Sequence, residues 1–191
     1  KDPAYETPGL NAGAIKLFPS LLAGVTYDSN IYAQETGEKD DAVFTLTPEM
    51  IARYESDALT LTGRANASIR RFASVTRENS VGAVAETKAV WEPSLANRFI
   101  LEGGWNRLVE SRGDPEAREQ TTTGPRRTDL LFGTLEYRRE SGRMMFNAKG
   151  SVYHYNVLSR AEAERDFTSY IGQAGLGYRL SEGFEMAPLQ L

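Results

Sequence analysis

Apolar and polar residues alternate along most of this chain. From Ile15 to Tyr27 one parity carries Ile15, Leu17, Pro19, Leu21, Ala23, Val25 and Tyr27; the other carries Lys16, Phe18, Ser20, Leu22, Gly24 and Thr26. A period of two sends successive side chains to opposite faces and predicts a β-strand. Pro19 has no amide hydrogen for a ladder, so it asks for a bulge or an early edge position. The second run, Ala42 to Glu55, sets Ala42, Phe44, Leu46, Pro48, Met50, Ala52 and Tyr54 against Thr45, Thr47, Glu49, Arg53 and Glu55, with Val43 and Ile51 as exceptions. The third sets Leu59, Leu61, Gly63, Ala65, Ala67 and Ile69 against Thr60, Thr62, Arg64, Asn66, Ser68 and Arg70.

Five further runs repeat the pattern. Ser80 to Glu92 opposes Ala83, Ala85, Ala89 and Trp91 to Glu86 and Lys88. Arg98 to Val109 opposes Phe99, Leu101 and Trp105 to Glu102 and Asn106. Thr128 to Arg139 opposes Leu131, Leu135 and Tyr137 to Thr134, Glu136 and Arg138. Arg143 to Asn156 opposes Phe146, Ala148 and Val152 to Asn147, Lys149 and Ser151. Ser169 to Leu180 opposes Tyr170, Leu176 and Tyr178 to Gln173 and Arg179. Phe184 to Leu191 is a candidate start for a ninth. The best helical stretch, Ser159 to Asp166, is short, polar and isolated, and predicts a helical turn in a loop at most.

The connections alternate in length. Short ones fall at Ser56-Asp57, Pro93–Ala96, Ser141-Gly142 and Ser181–Gly183; long ones at Ser29–Asp41, Ser74–Asn79, Glu110–Arg127 and Val157–Thr168. Short turns on one rim and long loops on the other is the layout of an outer-membrane barrel, whereas the Greek-key links of a β-sandwich mix lengths. The expectation is an all-β fold: an antiparallel up-and-down transmembrane β-barrel of at least eight strands. Residues 1–14 would be a periplasmic N-terminal extension and 15–191 the barrel, incomplete at its C-terminus. A start at Lys1 rather than Met reads as a processed or trimmed N-terminus.

The two faces differ in kind. The polar parity holds Glu49, Arg53, Arg64, Arg70, Glu86, Lys88, Glu102, Glu136, Arg138, Lys149 and Arg179. Both signs are present, so such charges can pair across strands in a lumen. In lipid each would cost several kcal/mol, roughly, at the midplane. The apolar parity is rich in Ala and Gly and carries Tyr54, Trp91, Trp105, Tyr137 and Tyr178, which read as interfacial belt residues rather than a sugar platform.

Composition narrows the chemistry. The chain has no Cys, which excludes disulfides and thiolate metal sites. Its net charge is −4, against a nucleic-acid partner, which needs a basic face. The mean hydropathy of −0.45 would suggest a soluble periplasmic β-protein, the competing reading, but alternating strands hide their apolar face from such an average. His154 is the single histidine and reads as polar lining rather than a ligand. Asp28 with Asn30, and Glu38 with Asp40 and Asp41, read as solvated acidic loop rather than a Ca²⁺ site, lacking EF-hand spacing. Ser20, Ser68 and Ser151 lack a nucleophile elbow. Gly172–Gly177 mimics a phosphate loop but sits within a strand pattern. No enzyme and no cofactor are expected.

The stretch Val25-Thr26-Tyr27-Asp28-Ser29-Asn30-Ile31-Tyr32, then Asp40-Asp41, Leu46-Thr47-Pro48-Glu49 and Ala58-Leu59-Thr60-Leu61, resembles the Putative beta-barrel porin 2 type of outer-membrane protein of proteobacteria. The resemblance covers about residues 15 to 180 and implies a Gram-negative outer-membrane location, with polysaccharide or capsule secretion as an associated process. Family members are usually about twice this long, so the chain is expected to be the N-terminal half of a larger barrel. The leading functional expectation is a passive porin-like channel, linked to exopolysaccharide export. The alternative is a scaffold or anchor whose long loops bind a surface layer, appendage or envelope partner; a barrel enzyme is the second alternative. Outer-membrane lipid and lipopolysaccharide would be the surroundings in each case.

Overall fold

The computed structural model describes residues 9–110, 112, 124–158, 165–181 and 184–185. Among the described residues ten antiparallel strands lie in one sheet in chain order: β1 (Leu10–Ala12), β2 (Ile15–Asp28), β3 (Asp41–Glu55), β4 (Leu59–Phe72), β5 (Ser80–Ser94), β6 (Asn97–Val109), β7 (Arg127–Ser141), β8 (Met144–Val157), β9 (Phe167–Ser181) and β10 (Phe184–Glu185). The eight runs read from periodicity are β2 to β9, with ends within two residues of those expected. Leu10–Ala12, inside the expected extension, pairs with β2. β10 begins where a ninth run was expected; residues 186–191 lie outside the described residues, as do 1–8, most of the loop Glu110–Arg127 and the expected helical turn up to Glu164.

Local chemistry explains the turns. Gly13 and Gly142 open two-residue turns at φ 65° and 60°, the first central place of a type II′ hairpin, where the left-handed region favours glycine. Pro19 stands opposite Met50 without a register shift. Among the described residues β1's pairing with β2 ends at Leu17, so Pro19 there occupies an edge rather than a bulge. Pro48 lies between two neighbours, and there the β3–β4 ladder skips Thr47 and Pro48, resuming at Glu49↔Asn66 in unchanged register.

The register also yields a tilt. Stepping across the sheet from Ile15, the foot of β2, the paired residues are Tyr54, Leu61, Ala89, Leu101, Leu135, Gly150 and Gly172. Gly172 lies nine residues above Ser181, the foot of β9. At about 3.3 Å per residue and about 4.8 Å between strands, seven steps of this stagger incline the strands by about 40°. That is the tilt of a closed barrel, about 35–45°. Among the described residues the sheet itself is open, with no ladder joining its two ends.

Among the described residues no interior core holds the sheet together. Among the described residues the buried hydrophobic side chains are Ile31, Val43, Val75 and Ile100. Leu21, Val25, Leu101, Leu131, Leu135 and Leu176 are all more than half exposed, from 53% to 67%. A protein folding in water buries its large apolar residues; this sheet presents them.

Candidate channel-lining face

The register puts all eleven charged residues named from the sequence on one face. Glu49 pairs with Asn66, Arg64 with Glu86, Lys88 with Glu102, and Glu136 with Lys149, which pairs with Gln173. Arg53 faces Thr62, Arg70 faces Ser80, Arg138 faces Arg98, and Arg179 shares its parity with Gln173. Tyr54, Trp91, Trp105, Tyr137 and Tyr178 all lie on the other face.

The charged face is concave. In β8, residues of Met145's parity through Val157 are half-buried, while those of Met144's parity through Asn156 are exposed, Ala148 excepted. A flat sheet would expose both faces alike. One hollow of about 430 Å³ is lined by Ile51 of β3, Arg64, Glu86, Lys88, Glu102 and Phe132 of β7. Strands four steps apart share a hollow only if the sheet curls toward that side.

Within the concavity the charges pair across strands. The Arg64 guanidinium spans β3 to β5, 2.7 Å from Glu49 and 3.3 Å from Glu86. Lys88 Nζ lies 2.7 Å from Glu102, and Arg138 pairs with Glu136 on its own strand. Arg53 and Arg70 sit over the rings of Phe18 and Phe72 at 5.2 and 5.5 Å, a cation–π geometry. Gly104, between Glu86 and Phe132 in register, permits the close approach of β5: a Cβ there would fall 2.6 Å from the Ala85 carbonyl oxygen.

The apolar face carries its aromatics in two rows. Trp91, Phe99, Tyr137 and Phe146 stack or tilt against one another across β5 to β8, with centroids 5.2, 4.7 and 6.0 Å apart; Tyr54 and Tyr178 stand at the same short-turn end. Trp105 belongs to the opposite row, near the long loops, with Tyr27, Phe44 and Tyr170. From Tyr178 to Tyr170, and from Tyr54 to Phe44, the tilted strands rise about 20–25 Å, close to the apolar band of about 25 Å in membrane barrels.

His154 departs from its expected place. Its pairing with Leu131 puts it on the apolar face, at the long-loop end, with Nδ1 2.8 Å from Thr168 Oγ1. Strand parity, invisible to a reading that treats polar residues as lining by type, decides this. Arg71 and the Arg107–Asp129 pair, at 2.7 Å, occupy the same rim of that face.

Sequence reasoning missed one group and the work of another. The concave face also bears aromatic pairs near the long loops, Phe132–Tyr153 at 6.4 Å and Tyr155–Phe167 at 4.5 Å; extending the charged parity along β7 and β8 would have found them. The second is a set of loop residues. Asp28 Oδ1 accepts from the Asn30 amide at 2.9 Å, and the Asn30 side chain clamps Gln34 through Oδ1 and Nδ2. The Tyr27 hydroxyl donates to Asp40 at 2.7 Å. The acidic stretch is therefore engaged in building the β2–β3 loop.

No curated protein and no solved structure matches the chain. The family model described as Putative beta-barrel porin 2 matches residues 2–186. With its up-and-down antiparallel strands, barrel tilt and two contrasting faces, the chain belongs to the Putative beta-barrel porin 2 family.

Proposed function

We propose that the chain lines a passive channel across the outer membrane of a Gram-negative bacterium. One observation carries this reading: the charged face is concave and the apolar face, bounded by two aromatic rows, is the exposed one. Lipid on the convex side and water on the concave side satisfy both. The test is single-channel conductance of the full-length gene product refolded in lipid, with heat-modifiable gel mobility as the folding check. Open-pore currents support the channel. A folded, non-conducting barrel favours the scaffold, and failure to enter lipid overturns the membrane assignment.

A link to exopolysaccharide export draws support from Phe132–Tyr153 and Tyr155–Phe167. Flat apolar rings on the wall that carries the charges suit the C–H faces of sugar rings. Soluble oligosaccharides are expected to interrupt the current, and Tyr155→Ala to shorten the interruptions. Equal interruptions in both proteins would count against the link.

A further inference from the structure

We infer that the β2–β3 and β4–β5 loops, tied together through Arg112, form a cap folded over the concave face that narrows one side of the channel mouth. The narrowing rests on the channel reading; the position of the cap does not.

Burial at the strand tops gives the direction. On the charged parity Asp41, Val43 and Ser80 are 4%, 5% and 3% exposed. Their neighbours on the apolar parity, Phe44 and Val81, remain 50% and 39% exposed. Loops standing straight up would bury neither set, and loops folded outward would bury the second. These fold inward.

The cap is packed, unlike the sheet below it. Ile31 and Val75, one from each loop, are both buried. The Asp41 carboxylate accepts the backbone amides of Ser74 and Val75 at 3.0 and 2.7 Å, joining the end of one loop to the start of the other. The Phe72 amide donates to Asn79 Oδ1 at 2.8 Å, closing the second loop on itself.

A buried ion pair brings in the third loop. Arg112 donates to both oxygens of Glu78 at 3.0 Å, and the side chains are 7% and 3% exposed. The Arg112 guanidinium lies 5.9 Å from the Tyr32 ring centre, while the Tyr32 hydroxyl accepts from Arg77 Nε at 3.1 Å. Removing one partner of such a pair leaves the other charged and buried, a strongly unfavourable state that outward movement relieves.

The test uses the full-length protein, refolded in detergent, and a membrane-impermeant maleimide. This chain has no cysteine, so, with any cysteine elsewhere in the full-length protein replaced by serine, a single introduced thiol reports its own cover. Val43→Cys is expected to react at least tenfold more slowly than Thr47→Cys, on the same face of β3 two pleat repeats lower and half-buried. Adding Glu78→Gln, or Arg112→Gln, should bring the two rates within about twofold, and exchanging the charges (Glu78→Arg with Arg112→Glu) should restore the protection. Equal rates in the otherwise unaltered protein would overturn the cap; protection unmoved by either single variant would overturn the ion pair as its fastening. A protected Val43→Cys in a barrel that conducts nothing even with Glu78→Gln leaves the cap standing and sinks the channel reading alone.

Discussion

Leu135 and Glu136 are consecutive residues at mid-height on β7, and their exposures run opposite to their chemistry. Leu135 is 54% exposed on the convex face; Glu136 is half-buried on the concave one beside Arg138 and opposite Lys149. In a water-soluble sheet the leucine would be covered and the carboxylate exposed. The inversion is what the proposed channel wall requires, with lipid on one side of the sheet and water on the other. In such a wall cohesion comes from the ladder and from the lipid, rather than from an apolar interior.

The comparison breaks most sharply on the convex side. Leu135→Arg should cost about 2–4 kcal/mol, the penalty for a cation at the bilayer midplane of a barrel. The measurement is denaturant unfolding in lipid vesicles, with Gln173→Arg on the concave face as the control, expected to stay within about 0.5 kcal/mol. Equal losses would mean that the faces are not in different media.

Next in size is Gly104→Ala. Its methyl group would meet the Ala85 backbone at 2.6 Å, so β5 and β6 must part; overpacking of this kind costs about 1–3 kcal/mol. Gly172→Ala, with open space at its Cβ, should be tolerated in the same unfolding assay. Smaller again is Trp91→Leu, which keeps an apolar side chain but removes the stack on Phe99; about 0.5–1.5 kcal/mol should be lost, readable as a lower midpoint at unchanged slope. Lys149→Glu should barely move stability, within about 0.5 kcal/mol, yet shift the reversal potential in a salt gradient toward cation selectivity. An unmoved reversal potential would separate this face from the ion path.

Strand positions and both faces could be read along the chain because the period of two is local: each side chain's direction follows from its neighbours one and two residues away. The long and short connections were legible for the same reason. The family-like opening from Val25 to Tyr32 signalled kinship without showing its work, which is to fold a loop through Asp28, Asn30 and Tyr32. His154 shows the error of reading by residue type instead of by alternation. Its chemistry is polar, but its parity follows Phe146 and Val152 on the convex side.

By itself, then, the sequence determined which residues form strands, which parity bears charge, and where the chain turns, since all of these depend on short-range stereochemistry and on hydrophobicity. The stagger from Ile15 to Gly172 that tilts the strands, the direction in which the sheet curls, and the meeting of Glu78 with Arg112 emerge from the folded sheet. Each of these depends on pairing between residues far apart in the chain, and alternation specifies which face a side chain takes but not which distant partner it will find there.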